Sequence, residues 1–134
     1  MSFCLDTDII IEFFHGNDTV VNKIKEAINN KEVLNITPIT LCELYKGAFL
    51  SAHPQKEFEK IEAVLNACFV LDFSPKACNI FGSLAANLAR EGKPLDDSDL
   101  IIASIALSHH CILVTNNTKH FARIRDLKVE NWVR

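Results

Sequence analysis

The chain has 134 residues, 49% of them hydrophobic and 23% charged, a balance that excludes intrinsic disorder and suits one folded domain spanning residues 1–134. Seventeen acidic side chains against fourteen Lys and Arg give a formal net charge of −3, which excludes nucleic-acid binding through bulk positive charge. The only glycines are Gly16, Gly47, Gly82 and Gly92, too scattered for a dinucleotide-binding loop or a P-loop.

The first expected strand, Phe3–Leu5, ends in Asp6-Thr7-Asp8. A short helix, Ile9–Phe14, follows, and Asp8 is a candidate cap for it. Residues 18–30 carry a helical stripe of Val20, Ile24, Ala27 and Ile28. A second strand, Val33–Ile36, runs into Thr37-Pro38, a cap followed by a first helical residue. The helix that follows carries Glu43. Gly47 lies one turn later on the same face, which either leaves room beside the carboxylate or marks a close helix contact. His53-Pro54 opens residues 55–68, striped by Phe58, Ile61, Leu65 and Cys68. After a strand at Phe69–Leu71, Ser74-Pro75 opens the clearest stripe, residues 75–91, with Ala77, Ile80, Phe81, Leu84, Ala85 and Leu88, ending at Gly92.

Asp96, Asp97 and Asp99 then precede Leu100–Leu107, which is apolar all round and therefore expected to be buried. His109-His110-Cys111 lacks zinc-ligand spacing and reads as the exit of that helix into a strand, Ile112–Thr115. Asn116-Asn117 follows it, and Val129–Val133 adds an edge strand. The five cysteines, at positions 4, 42, 68, 78 and 111, form no CxxC and read as reduced, buried thiols. The start, MSFCLDTD, lacks the flanks of a signal peptide, and no apolar run approaches the ~18 residues of a membrane span. A cytoplasmic protein without a membrane segment is the expectation.

Short apolar runs alternating with amphipathic helices imply parallel strands covered on both faces. The expected fold is a three-layer α/β/α sandwich around a central parallel sheet of four to five strands. Ligands of open α/β sheets bind beyond the carboxyl ends of the strands. Acidic, hydroxyl and amide groups fall there: Asp6, Thr7, Asp8, Glu43, Asp96, Asp99, Thr115, Asn116 and Asn117. Taken singly, most have an ordinary reading. Asp96 to Asp99 suit a helix cap, Glu43 a solvated helix face, and Asn116-Asn117 a turn. Taken together, several carboxylates at one site repel each other, and a hard divalent cation such as Mg²⁺ or Mn²⁺ relieves that repulsion.

Four segments carry a resemblance: LDTDIIIEFF at 5–14, TPITLCELYKG at 37–47, DSDLIIASIAL at 97–107 and ILVTNNTKHFARIRDLKVENW at 112–132. In this order and spacing they resemble PIN-domain ribonucleases, close to the VapC-type toxins of prokaryotic toxin–antitoxin pairs. The resemblance implies metal-dependent hydrolysis of RNA phosphodiesters with Mg²⁺ or Mn²⁺. It makes Asp6, Glu43 and Asp99 the catalytic acids, with Asp6 and Asp99 holding metal and Glu43 positioning or deprotonating the attacking water. Asp8, Asp96, Thr7, Thr115, Asn116 and Asn117 become supporting groups. The fourth acidic position of the family falls on Asn117, an amide that cannot act as a base. A homodimer and a cognate antitoxin laid across the site, against apolar residues of helices 9–14 and 38–50, are also implied.

The basic residues Lys119, Arg123, Arg125, Lys128 and Arg134 form a modest tail that suits either RNA phosphates or an ordinary solvated surface. His109, His110 and His120 are further candidates for RNA contact, and Trp132 reads as C-terminal packing. Three rival readings compete. A haloacid-dehalogenase-like phosphatase shares the DxD, but its motif order fails here. A receiver domain would use Asp72, but expects one helix between strands two and three where two are read here. A PIN-like module without activity would bind but not cut.

Overall fold

The computed structural model describes residues 1–134. Five strands form one fully parallel sheet: β1 (Ser2–Leu5), β2 (Val33–Ile36), β3 (Phe69–Val70), β4 (Ile112–Val114) and β5 (Val129–Glu130). Their order across the sheet is β3-β2-β1-β4-β5. β1 is central, with Phe3 beside both Leu34 and Ile112 in the register. Seven helices connect and cover the strands: α1 (Thr7–Phe14), α2 (Asp18–Asn29), α3 (Pro38–Leu50), α4 (Pro54–Ala67), α5 (Pro75–Arg90), α6 (Asp97–Ser108) and α7 (Thr118–Phe121).

The period-two alternation of the strands builds a separate core on each face. Phe3, Leu5, Leu34, Ile36, Ile112 and Val114 point to one side and pack with α1 to α4 through Ile9, Ile10, Val20, Ile24, Leu44 and Ile61. Cys4 and Leu113 point to the other side, where Leu88, Leu100, Ile102, Ala103 and Phe121 of α5, α6 and α7 meet them. The three layers match the expected sandwich. Trp132 is buried against Phe3 in an edge-on pair with centroids 5.1 Å apart, as C-terminal packing requires.

Local chemistry accounts for most element boundaries. Thr37 and Ser74 accept the Thr40 and Ala77 amides as side-chain caps before proline. His53 makes no such bond, so only the proline marks the start of α4. α1 starts two residues earlier than its apolar pattern suggests. Its cap is Asp6, which accepts the Thr7 amide at 2.8 Å, and Asp8 lies inside the first turn. α6 likewise begins at Asp97, and its cap residue Asp96 makes no side-chain cap bond. Strands β3, β4 and β5 are shorter than the apolar runs that announce them. α6 leaves through His110 at φ 56°, the left-handed position that glycine usually takes.

The cysteine expectation needs correcting. All five thiols are free, but Cys42 and Cys78 are exposed and Cys68 is half-buried, leaving only Cys4 and Cys111 buried. A helical stripe covers one face alone, so a cysteine in an apolar run can still point outward. Asn35, in the middle of β2, is a buried polar residue that the apolar run conceals. Its amide nitrogen donates to Ser2 Oγ at 2.8 Å and to the Phe3 carbonyl at 2.9 Å, which removes the cost of its burial.

Candidate active site

β1 has β2 on one side and β4 on the other, so the chain direction across the sheet reverses between β1 and β4. A crevice opens at such a switch point beyond the strand ends. Asp6 and Thr115 stand on its two lips, each one residue past its strand. The Asp6 amide extends the ladder by donating to the Val114 carbonyl at 2.9 Å. The Asp6 side chain is therefore positioned by the sheet itself.

Thr115 is fully buried and ties the crevice together. Its hydroxyl donates to Asp6 Oδ2 at 2.8 Å and accepts the Asn117 amide at 3.0 Å. Asp8 Oδ2 lies farther from that hydroxyl, at 3.4 Å, and takes the Asn116 backbone amide at 3.0 Å. The side chain of Asn131 donates to Asn116 Oδ1 at 3.0 Å, so the C-terminal segment braces the same turn. On the other side of Asp6, the Thr7 hydroxyl reaches α3, lying 2.7 Å from Glu43 Oε1 and 3.0 Å from Thr40 Oγ1. Glu43 is exposed, but this bond aims it toward the strand ends. Thr40 is fully buried and was not legible as a site residue, although it lies three positions before Glu43 on the same helix face.

The electrostatics show that these acids share one field. Asp6 is only 7% exposed. Burial, then the charge of Asp8, pushes its carboxyl up to about 7, against the lowering effect of bonds from Thr115 and Thr7. Asp8 is also raised, chiefly by burial, and Asp99 by burial and then by Asp96. Asp99 acts on Asp6 and Asp8, and Glu43 acts on Asp99. Asp8 Oδ1 is buried with no hydrogen-bond partner. Such an atom in a field of like charges suits a cation.

No three His, Cys, Asp or Glu side chains close around a single point, so protein groups alone would not enclose an ion. Magnesium-type ions keep several waters and take one or two carboxylates plus substrate phosphate. An all-oxygen donor set with one orphaned carboxylate oxygen fits that habit, and does not fit a zinc cage.

The expected site residues divide clearly. The crevice brings together Asp6, Thr7, Asp8, Glu43, Thr115, Asn116 and Asn117, with Asp99 opposite. Asp96 is exposed and reaches the site only through its charge on Asp99. Gly47 resolves in favour of open space. A Cβ there would meet nothing within 4 Å, and the position lines a shallow hollow of about 170 Å³ beside Glu43. A larger cavity, about 290 Å³, lies at the opposite end of β1 and β4, against Met1, Ser2 and Cys111, and holds none of these acids. Asp72 stands far from the crevice at an exposed edge, with its carboxylate 3.4 Å from His109, and both α3 and α4 lie between β2 and β3. Both facts oppose the receiver reading.

Both the sequence and the fold have known relatives. Residues 3–127 match the PIN domain family. The chain is 34% identical over 133 residues to Ribonuclease VapC2 of Haemophilus influenzae, covering 99% of each protein. It is 37% identical over 136 residues to the tRNA(fMet)-specific endonuclease VapC of Shigella flexneri, covering 98% of each. The fold superposes with a TM-score of 0.91 on a chain of VapBC2 from Rickettsia felis, at 32% identity over 98% of this chain and 99% of that one. With VapBC-1 from nontypeable Haemophilus influenzae the TM-score is 0.90, at 34% identity over the full length of both chains.

Proposed function

The chain belongs to the PIN-domain family, and from that premise we propose that it is a divalent-metal-dependent endoribonuclease, the toxin of a VapBC-type toxin–antitoxin pair. Residues 1–134 act as one nuclease domain in this reading. The observation that carries it is Asp6: a carboxylate buried at the switch point of the sheet, with Asp8 and Asp99 raising its proton affinity. A phosphatase or a receiver leaves that cluster, with Glu43 across from it, unexplained.

Asp6 and Asp99 are the residues that would hold the ion, Mg²⁺ or Mn²⁺, with Asp8 beside them. Bound there, a divalent ion supplies charge stabilisation on the phosphodiester and a more acidic water. The chain's own groups do the rest. Thr7 fixes Oε1 of Glu43, leaving the other carboxylate oxygen to accept a proton from the attacking water. The water oxygen bonds to phosphorus, the bond from phosphorus to the leaving ribose oxygen breaks, and that oxygen takes up a proton from solvent. Thr115 keeps Asp6 in place throughout.

The partner side of the reading rests on exposed apolar residues near Glu43. Ile11, 41% exposed, lines the hollow of α1, α3 and α4 beside Glu43, and Phe49 at 73% and Leu50 at 77% stand exposed at the end of α3. An antitoxin segment with apolar anchors fits there and would cover the site. We further propose a cytoplasmic homodimer. No helix is long and apolar enough to cross a membrane.

Incubating end-labelled RNA with the purified protein, with and without EDTA, tests the activity. Internal cuts that stop in EDTA and return with added Mg²⁺ or Mn²⁺ are expected. RNA left intact under all conditions contradicts the proposal.

A further inference from the structure

The short helix α7 carries a pair that its own stability does not require. Asn117 occupies the cap position, where an Asn side chain normally accepts a backbone amide of the first turn. Here it makes no cap bond. Its side chain reaches one turn along instead, with Nδ2 2.8 Å from Nδ1 of His120. The amide nitrogen can only donate, so Nδ1 accepts and the ring proton sits on Nε2. The backbone of Asn117 is itself pinned to Thr115, which bonds Asp6. Three hydrogen bonds therefore connect the buried catalytic carboxylate to the orientation of one imidazole.

That imidazole faces the site. Nδ1 is 3.8 Å from Asp99 Oδ2, and the ring is 47% exposed against 22% for the Asp99 side chain. Its Nε2–H has no partner in the protein. It is a donor at the rim of a carboxylate crevice, next to the exposed Lys119 and Arg123. Arg123 is already occupied in part, donating to the Pro94 carbonyl at 3.2 Å and so fixing the loop before α6. The His120 ring, beside Asp99, thus keeps one N–H free.

Resting on the ribonuclease reading above, we infer that His120, oriented by Asn117, binds a phosphate oxygen of the RNA beside the scissile bond. The position of the fourth acid then serves another purpose, holding an Asn that orients a substrate-binding ring. Phosphate contacts of this kind fix register without reading sequence.

The test compares His120→Ala, His120→Gln and Asn117→Ala with the parent protein. Steady-state cleavage gives kcat and KM separately. Fluorescence anisotropy with labelled single-stranded RNA gives affinity, in an Asp6→Asn background that prevents cutting. A hydrogen bond to a charged group at a half-exposed position predicts about a tenfold loss of affinity for His120→Ala, appearing in KM more than in kcat. His120→Gln, which keeps a side-chain N–H, should recover most of it. Asn117→Ala should fall between, with the ring present but unheld. The Tm of all three should match the parent.

Unchanged KM and affinity in His120→Ala would overturn the inference while leaving the ribonuclease reading intact. So would a loss in His120→Gln as large as in His120→Ala, or a shift confined to the Mn²⁺ concentration needed for cleavage, which would make His120 a metal ligand instead. A parent protein that neither binds nor cuts RNA removes both readings together.

Discussion

Replacing Asp6 by Asn should stabilise the metal-free fold while it abolishes cleavage. The carboxyl is pushed from 3.8 to about 7, by burial first and the Asp8 charge second. Between those values the folded chain keeps a proton that the unfolded chain has released. Stability therefore falls as pH rises through that window, and above it the ionised Asp6 costs about 4 kcal/mol. Asn carries no charge but cannot copy both hydrogen bonds. Its carbonyl can take the Thr7 amide, while its NH₂ then faces the Thr115 hydroxyl, which must turn toward Asp8 Oδ2. That rearrangement costs about 1 kcal/mol, leaving a net gain of about 2–3 kcal/mol at pH 8. Urea unfolding of both proteins in EDTA measures it. At pH 5 the advantage should shrink by about 3 kcal/mol. Added Mg²⁺ should raise the stability of the wild type and leave the variant nearly unchanged. An Asn variant less stable than wild type at pH 8 without metal, or an advantage independent of pH, refutes the reasoning.

Glu43→Gln keeps an oxygen for the Thr7 hydroxyl but loses the base, so kcat should drop by about 10²–10⁴ with KM little changed, as single- and multiple-turnover assays would show. Thr115→Val removes the donor to Asp6 and the acceptor of the Asn117 amide at a fully buried position. Urea unfolding at pH 8 with Mg²⁺ should register a loss of about 2–3 kcal/mol, with cleavage reduced as Asp6 loses its support. Leu50 is 77% exposed, so Leu50→Ala should leave stability within about 0.5 kcal/mol. The same change should weaken capture of the co-expressed antitoxin, read by calorimetry or pull-down.

Much of the fold is legible in the chain because its signals are local and repeated. Proline after Thr37 and Ser74 marks two helix starts, and the stripe of α5 runs unbroken to Gly92. The strands show as short apolar runs because both faces of a parallel sheet are covered. The same property hides what lies inside them, as with Asn35, whose partners Ser2 and Phe3 are 33 and 32 residues away. Asp6 stands out because it directly follows an apolar strand. Asp8 as a cap is a misreading, since Asp6 and Asp8 are the same residue type two positions apart and the bond from the Thr7 amide singles out Asp6. Thr40 and Asn131 are not legible. Their roles depend on Thr7 and Asn116, contacts created by the layering of α3 on α1 and by the return of the C-terminal segment. The pairing of Asn117 with His120 has the three-residue spacing of one helical turn, but nothing local shows that α7 exists.

Strand-end carboxylates that hold a divalent ion, and so enable RNA hydrolysis, are the centre of the proposed mechanism. The most direct measurement is metal-dependent RNA cleavage by the wild type, Asp6→Ala and Asp99→Ala at equal concentration, with folding of each checked by circular dichroism. Cleavage by the wild type only in Mg²⁺ or Mn²⁺, and none above background from either folded variant, is the expected result. Cleavage by both variants at the wild-type rate would contradict it.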